Sequence, residues 1–282
     1  MNGSPVLVSG LAEIAGDYDA IICDVWGVVH DGVRAYGPAV EALAKFRKNH
    51  GSVVLLTNAP RPPSEIAISL KGYGVPEGTY DIIVSSGGAA REELVRRAHG
   101  ARLKMMHIGP ERDTPVFNDL DIELVGADKA EVVLCTGLFD DDHETPDDYA
   151  ATLAEMKRHD LTMICANPDL LAPRAGVLVH CAGGIARAYE KIGGEVIYYG
   201  KPKPAIYEET IMAAGGRNRH ILVIGDALET DMAGANVMGL DALFVANGLH
   251  KDELGAVTNE NLAALFAKHN LKARAAVDIL KW

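Results

Sequence analysis

Residues 21–32 read IICDVWGVVHDG. Ile21, Ile22 and Cys23 lead into Asp24, and Gly27 then lets the chain turn. Strands buried on both faces of a parallel sheet read as unbroken apolar runs. A carboxylate at the carboxyl end of such a strand stands where open α/β proteins place their chemistry. The stretch therefore predicts a central strand with a reactive edge. Trp26 sits two residues after Asp24, where a second acid would complete an acid–base pair.

The same grammar continues outward. GPAVEALAKFRKNH has helical spacing at Val40, Leu43 and Phe46, and SVVLLTN is a second strand. PSEIAISLKGYG reads as a helix closed by glycine, YDIIVSS as a third strand and AAREELVRRAHG as a helix. The pattern then restarts with LKMMHIG, IELVG and AEVVLCTG as strands. In TPDDYAATLAEMKRHD, Thr145 suits an N-cap and Pro146 the first helical position. LTMICANPD and EVIYYG read as strands, PAIYEETIMAAGG as a helix and HILVIGDALETDMAGANVMG as strand, loop and helix. DALFVANG is a closing strand, followed by two short helices. This βαβ rhythm predicts an α/β fold with parallel sheets. The strand-ending motifs concentrate in residues 21–58 and 199–231, so a single sheet interrupted by an inserted domain is expected. The expected parts are 1–87 and 196–282 for the main sheet and 88–195 for the insert.

The 282 residues carry a formal net charge of -12 and no basic tract, which argues against nucleic acid or an anionic membrane as partner. Cys23, Cys135, Cys165 and Cys181 lie in apolar segments with no C-x-x-C pair, so buried reduced thiols are expected. The N-terminus has no basic flank and no long apolar run, and no window approaches a membrane span. A cytoplasmic protein is the expectation. G-x-G-x-x-G, P-loop and G-x-S-x-G motifs are absent.

Polar residues punctuate the strand ends: Asp24, then Thr57 with Asn58, then Lys201, then Asp226 with Asp231. Each alone fits a turn, a cap or a solvated surface. In this order, on one sheet edge, they can converge on a single crevice. Carboxylates bind a hard cation such as Mg²⁺, and a lysine and a hydroxyl can hold phosphate oxygens. The set meets the needs of phosphoryl transfer to a carboxylate nucleophile.

The order DVWGVVHDG, LLTNAPR, YYGKPKP, VIGDALETDMAGA resembles the haloacid dehalogenase (HAD) superfamily. The long gap between the second and third motifs resembles class IIA, the NagD-like and 4-nitrophenylphosphatase-like branch. ANPDLLAPRAGVLVHCAGGIARAYEKIGG resembles that branch's cap segment. The resemblance covers roughly residues 17–250 and implies a Rossmann-like core with an inserted α/β class II (C2a) cap. It implies a Mg²⁺-dependent phosphatase or phosphotransferase acting on a small phosphorylated metabolite through an aspartyl-phosphate. Asp24 matches the nucleophile, Thr57 the phosphate-binding hydroxyl with Asn58 beside it, and Lys201 the lysine that neutralises nucleophile and phosphate. Asp226 matches a metal ligand, Asp231 an acid supporting the metal's hydration shell, and Trp26 supplies a backbone carbonyl to the metal. Asn167, Asp169, Arg174 and His180 are specificity candidates in the cap, with loop capping or packing as their alternative. Class IIA relatives are often dimers or larger, so the resemblance allows a homo-oligomer.

The side chain at position 26 departs from the family pattern, in which an aspartate protonates the leaving group and then activates water. An indole N–H donates only and does not titrate usefully. Loss of a general acid–base typically slows a reaction by ~10²–10⁴. Alkoxide leaving groups of high pKa should suffer more than aryl or acyl phosphates. His30 and Asp31 are the nearest titratable groups, but they lie past the turn, where a surface-loop role is expected. Trp26 could cover the site, stack on substrate or serve as an apolar plug. The alternative function is a weak or inactive phosphometabolite-binding protein on the same fold.

Overall fold

The computed structural model describes residues 4–174 and 177–282, without the side chains of Pro173 and Arg174. In chain order the strands are β1 (Val6–Leu7), β2 (Ala20–Asp24), β3 (Ser52–Thr57), β4 (Ile82–Ser85), β5 (Leu103–Ile108), β6 (Ile122–Leu124) and β7 (Val132–Cys135). They continue with β8 (Thr162–Cys165), β9 (Leu171–Arg174), β10 (Val177–His180), β11 (Glu195–Tyr198), β12 (Ile221–Gly225), β13 (Asp241–Val245) and β14 (Ala275–Val277). The helices are α1 (Gly37–Asn49), α2 (Pro63–Gly72), α3 (Ser86–Ala98), α4 (Ala150–Arg158), α5 (Ala182–Lys191), α6 (Pro204–Ala213), α7 (Ala233–Met238), α8 (Lys251–Leu254) and α9 (Asn259–His269). The chain divides into two compact units, residues 1–57, 67–84 and 201–282 in one and 58–66 with 85–200 in the other. No helix among the described residues is long and apolar enough to cross a membrane.

The first unit is organised by a seven-stranded sheet in the order β1-β14-β13-β12-β2-β3-β4. The pairs β12–β2, β2–β3, β12–β13, β13–β14 and β1–β14 are all parallel. Every residue of β2 and β12 is buried, which explains their unbroken apolar runs. From β2 the chain winds to β3 and β4 on one side, and returns through β12, β13 and β14 on the other. The order therefore reverses between β2 and β12, and a reversal of this kind opens a crevice at the strands' carboxyl ends. Helix α1 buries Ala39, Ala42, Leu43 and Phe46 along one stripe, and its last turn carries Arg47 and Lys48.

The second unit has its own five-stranded sheet, β11-β8-β7-β5-β6, all parallel, and an antiparallel β9–β10 hairpin. Alternate residues of β7 serve two cores. Val133 and Cys135 pack with Leu153 and Met156 of α4 and Ile185 and Tyr189 of α5. Val132 and Leu134 pack with Ala90 and Leu94 of α3. Thr145 makes the reciprocal capping box with Asp148. The first turn there is 3₁₀, and α4 proper begins at Ala150. All four cysteines are buried, and none is in a disulfide.

Three features depart from the sequence reading. β1 and β14 extend the main sheet, although the C-terminal segment reads only as two helices; strands of two and three residues leave no period to detect. The β9–β10 hairpin lies inside a segment with no strand pattern. The strand before Lys201, β11, belongs to the second unit's sheet, so Lys201 does not follow a strand of the main one. It sits instead in the approach to α6.

Candidate active site

Asp24 ends β2, the strand between β12 and β3. In register it lies opposite Leu56, one residue before Thr57, while Cys23 lies opposite Ile224, two residues before Asp226. Sheet pairing alone therefore sets Asp24 between Thr57 and Asp226, and all three are buried. Lys201 reaches this edge from the loop before α6. Its Nζ donates to Asp24 Oδ1 at 2.5 Å and to Asp231 Oδ1 at 2.7 Å.

Asp231 is delivered by a single π-helical turn, Leu228–Met232, between β12 and α7. Its second carboxylate oxygen accepts the Ala227 N–H at 3.2 Å. The Tyr207 hydroxyl, from α6, donates to the carbonyls of Thr230 (3.1 Å) and Asp231 (3.3 Å) and braces the turn from behind. Gly234 permits this, because a Cβ there would collide with the Tyr207 ring. Asp226 is cradled by two glycines: a Cβ at Gly27 or at Gly248 would strike its carboxylate. Gly27 also has φ +83°, where a side chain is strained. Asp226 Oδ2 accepts the Leu249 N–H at 2.9 Å.

Oxygens of Asp24, Asp226 and Asp231 lie within 4.8 Å of one another. Three buried acids face one ammonium. Burial pushes the Asp24 carboxyl up to about 7, against the pull of Lys201. Burial, then the charges of Asp24 and Asp231, push Asp226 up to about 8. Burial alone would favour neutral Lys201, yet Asp231 and Asp24 hold its ammonium well above the usual range. The surplus negative charge and the hard oxygen donors fit a small divalent cation such as Mg²⁺. A second acidic trio, Asp140, Asp141 and Asp142, is surface-placed and already meets His143 and Arg112.

These shifts have a signed consequence. Both carboxyls titrate in the folded state above the usual range near 4, so folding takes up protons. Stability from this source is present below about pH 4 and is lost as pH rises through about 7 to 8. Metal-free protein should therefore melt at lower temperature at pH 8 than at pH 5. Asp226→Asn should raise the pH 8 melting temperature by several degrees and flatten the slope. A melting temperature indifferent to this substitution in chelator would contradict the charge surplus.

Trp26 folds back over its own loop. The indole lies on Gly32, where any Cβ would strike it, and meets the His30 ring edge-on at 5.1 Å. His30 is not a surface-loop residue: it is 5% exposed and also packs on Tyr73 at 4.7 Å. Its Nδ1 accepts the Gly32 N–H at 2.8 Å, so the neutral ring carries its proton on Nε2. Asp31 is a loop cap. It accepts from the Arg34 and Val33 N–H groups, which keep its carboxyl below the usual range and ill-suited to donate a proton.

The remaining candidates lie in the second unit. Asn58 Nδ2 donates to Asp169 at 2.8 Å, and Asn58 Oδ1 accepts from Ser86 at 3.2 Å. Asn167 accepts the Asp169 N–H at 3.0 Å. These four residues thus brace one another around the loop after β8. His180 closes β10, and the side chain of Arg174 lies outside the described residues. Sequence reasoning passed over Tyr207, Gly248, Leu249 and His250. The one available signal was glycine at the end of ALFVANG, the edge position of the strand beside β12.

Comparison with known proteins gives a consistent result. The haloacid dehalogenase-like hydrolase profile matches residues 21–123, and a second HAD-hydrolase-like profile matches residues 198–268. A haloacid dehalogenase-like hydrolase from Brucella suis 1330 is 38% identical over 97% of this chain and all of its own, with TM-score 0.84. The D-glycerol 3-phosphate phosphatase of Mycobacterium tuberculosis is 28% identical over 85% of this chain, which spans 66% of that protein's length. A structure of the Mycobacterium tuberculosis glycerol phosphate phosphatase in complex with magnesium is 26% identical, with TM-score 0.65, covering 87% of this chain and 74% of that one. With both halves of the main sheet matched and full-length agreement with the Brucella suis protein, the chain belongs to the haloacid dehalogenase-like hydrolase family.

Proposed function

We propose that this protein is a Mg²⁺-dependent phosphatase that cleaves phosphoric monoesters of small sugar or polyol phosphates, with Asp24 as nucleophile. The supporting observation is the Lys201 ammonium bridging Asp24 and Asp231 inside a cluster of three buried acids. The glycerol phosphate and acid sugar phosphatases among its relatives support the substrate class. The first unit serves as the catalytic core and the second as its cap.

In this reading Asp24, Asp226 and the backbone carbonyl of Trp26 hold the cation, and Asp231 orients its surroundings. The bound cation would neutralise phosphate oxygens and keep both carboxyls ionised. Lys201 fixes the Asp24 carboxylate and supplies positive charge to the entering phosphate. Thr57, one residue beyond the partner of Asp24 on the next strand, donates its hydroxyl to a phosphate oxygen. Asp24 Oδ attacks phosphorus; the ester P–O bond breaks as the Asp24 O–P bond forms, and the alcohol leaves with the electron pair. Water then attacks the phosphorus of the acyl-phosphate, the Asp24 O–P bond breaks, and inorganic phosphate leaves with the Asp24 carboxylate restored. Trp26 contributes no proton to either step, so the alcohol must draw its proton from water or from the cap.

The test is Trp26→Asp beside Trp26→Asn. Both lose the indole packing on Gly32 and His30, but only the aspartate can transfer protons. Glycerol phosphate hydrolysis in Mg²⁺ should be at least about tenfold faster in the aspartate variant than in the asparagine variant. An aryl phosphate should show little difference. Equal rates on both substrates would remove the missing-acid account. Absence of any Mg²⁺-dependent turnover in wild type would favour a phosphometabolite-binding role.

A further inference from the structure

We infer that His250 is a positioning residue for the cation site: its imidazole locks the loop that bears Asp226 to the loop that braces it. The inference rests on the proposed role of Asp226 as a metal ligand.

The observation is a reciprocal clasp between two short segments. Leu249 N–H donates to Asp226 Oδ2 at 2.9 Å. In the opposite direction, Leu228 N–H donates to His250 Nε2 at 3.1 Å. Adjacent residues on one loop therefore hold, and are held by, residues two apart on the other. Leu228 is fully buried and opens the π-helical turn that delivers Asp231. The first N–H groups of a helical turn have no partner within it and need one from outside. Ala227 finds the Asp231 carboxylate, and Leu228 finds His250. Gly248, whose missing Cβ leaves room for Asp226, brings the two loops to hydrogen-bonding range.

The imidazole is itself fixed. Nδ1 lies 3.1 Å from Glu253 Oε2 on α8, and the ring meets His269 of α9. Glu253 is in turn bound by Lys268 at 2.6 Å and His269 at 3.1 Å. Glu229, on the turn, lies 3.2 Å from Nε2. With Nδ1–H directed at Glu253, the neutral ring leaves Nε2 as the acceptor that Leu228 requires. Burial lowers the imidazole pKa, but Glu229 and Glu253 raise it on balance, and in the protonated ring Nε2–H would turn to Glu229 instead. The carboxylate–imidazole–backbone chain thus runs from the C-terminal helices to the acid turn. Partners that orient metal ligands from behind typically change metal affinity by ~10–100-fold when removed.

Two isosteric substitutions separate this role from general packing. Gln places its amide near Nε2 and can still accept from Leu228; Asn places its amide near Nδ1 and cannot. His250→Asn should weaken Mg²⁺ binding about tenfold by calorimetry, and raise the Mg²⁺ concentration for half-maximal activity equally. kcat at saturating Mg²⁺ should stay within about twofold. His250→Gln should bind Mg²⁺ within about twofold of wild type. Equal Mg²⁺ affinity in both variants and wild type, or equal weakening in both, would overturn the inference. Asp226→Asn is the control for the underlying reading. If it loses Mg²⁺ binding while His250→Asn keeps it, only the positioning role fails. If it binds Mg²⁺ like wild type, the metal-ligand reading fails and the inference with it.

Discussion

Asp24→Asn should lower kcat for any phosphate ester by about 10⁴ or more, the scale on which losing a covalent nucleophile is felt. The substitution changes little else. Asn keeps an oxygen for the Lys201 Nζ, which lies 2.5 Å from Asp24 Oδ1 in the wild type. It also removes one of three buried negative charges, so the fold should survive and the metal-free protein should melt no lower. The variant must also fail to accumulate a phosphoryl adduct on the Asp24 peptide, read by mass spectrometry after acid quench. Wild type should show the adduct, enriched because Trp26 supplies no base for its hydrolysis. Retention of more than about one per cent of wild-type activity would remove Asp24 from the nucleophile's place.

Lys201→Met should be nearly as damaging, through two separable effects. Lys201 is 3% exposed and bridges Asp24 and Asp231, both also buried. Removing the ammonium leaves two buried carboxylates without their counter-charge, a change that destabilises by about 3–5 kcal/mol in comparable buried pairs. The phosphate also loses a cationic partner at the moment charge moves, which typically lowers kcat by about 10²–10³. The two effects respond differently to Mg²⁺. The cation would replace much of the lost counter-charge, so thermal stability should recover partly on its addition, whereas kcat should not. Full recovery of both would mean that Lys201 serves only charge balance in the resting site. A stability loss indifferent to Mg²⁺ would place the cation elsewhere.

Much of the site was legible because its logic is local. Asp24 ends, and Asp226 directly follows, a wholly buried strand, and an unbroken apolar run leading into an acid is visible without coordinates. The parallel, doubly wound main sheet follows from the alternation of such runs with helical spacing. The sequence points to Lys201 through a strand that is not part of the main sheet. Its YYG strand belongs to the second unit, and a chemically significant lysine there owes its place to the return of the chain before α6. His30 is buried where the sequence predicts exposure, because distance along the chain past a turn says nothing of burial. The loop curls back, and Trp26 and Tyr73 enclose the ring.

By itself, the sequence determined the α/β class, the two carboxylate-bearing strands, the buried cysteines and the presence of Trp26, which cannot titrate, two residues after Asp24. Residue type and spacing carry that information. Only the tertiary structure decided which charges meet. Lys201 lies 177 residues from Asp24 and 30 from Asp231, and no local pattern couples them. The clasp of Leu228 and Asp226 by His250 and Leu249 spans 22 and 23 residues and depends on β12 and β13 lying side by side. Burial decided the rest. The same acids on an exposed loop would titrate near 4; enclosed at the sheet edge, Asp24 and Asp226 are pushed up to about 7 and about 8.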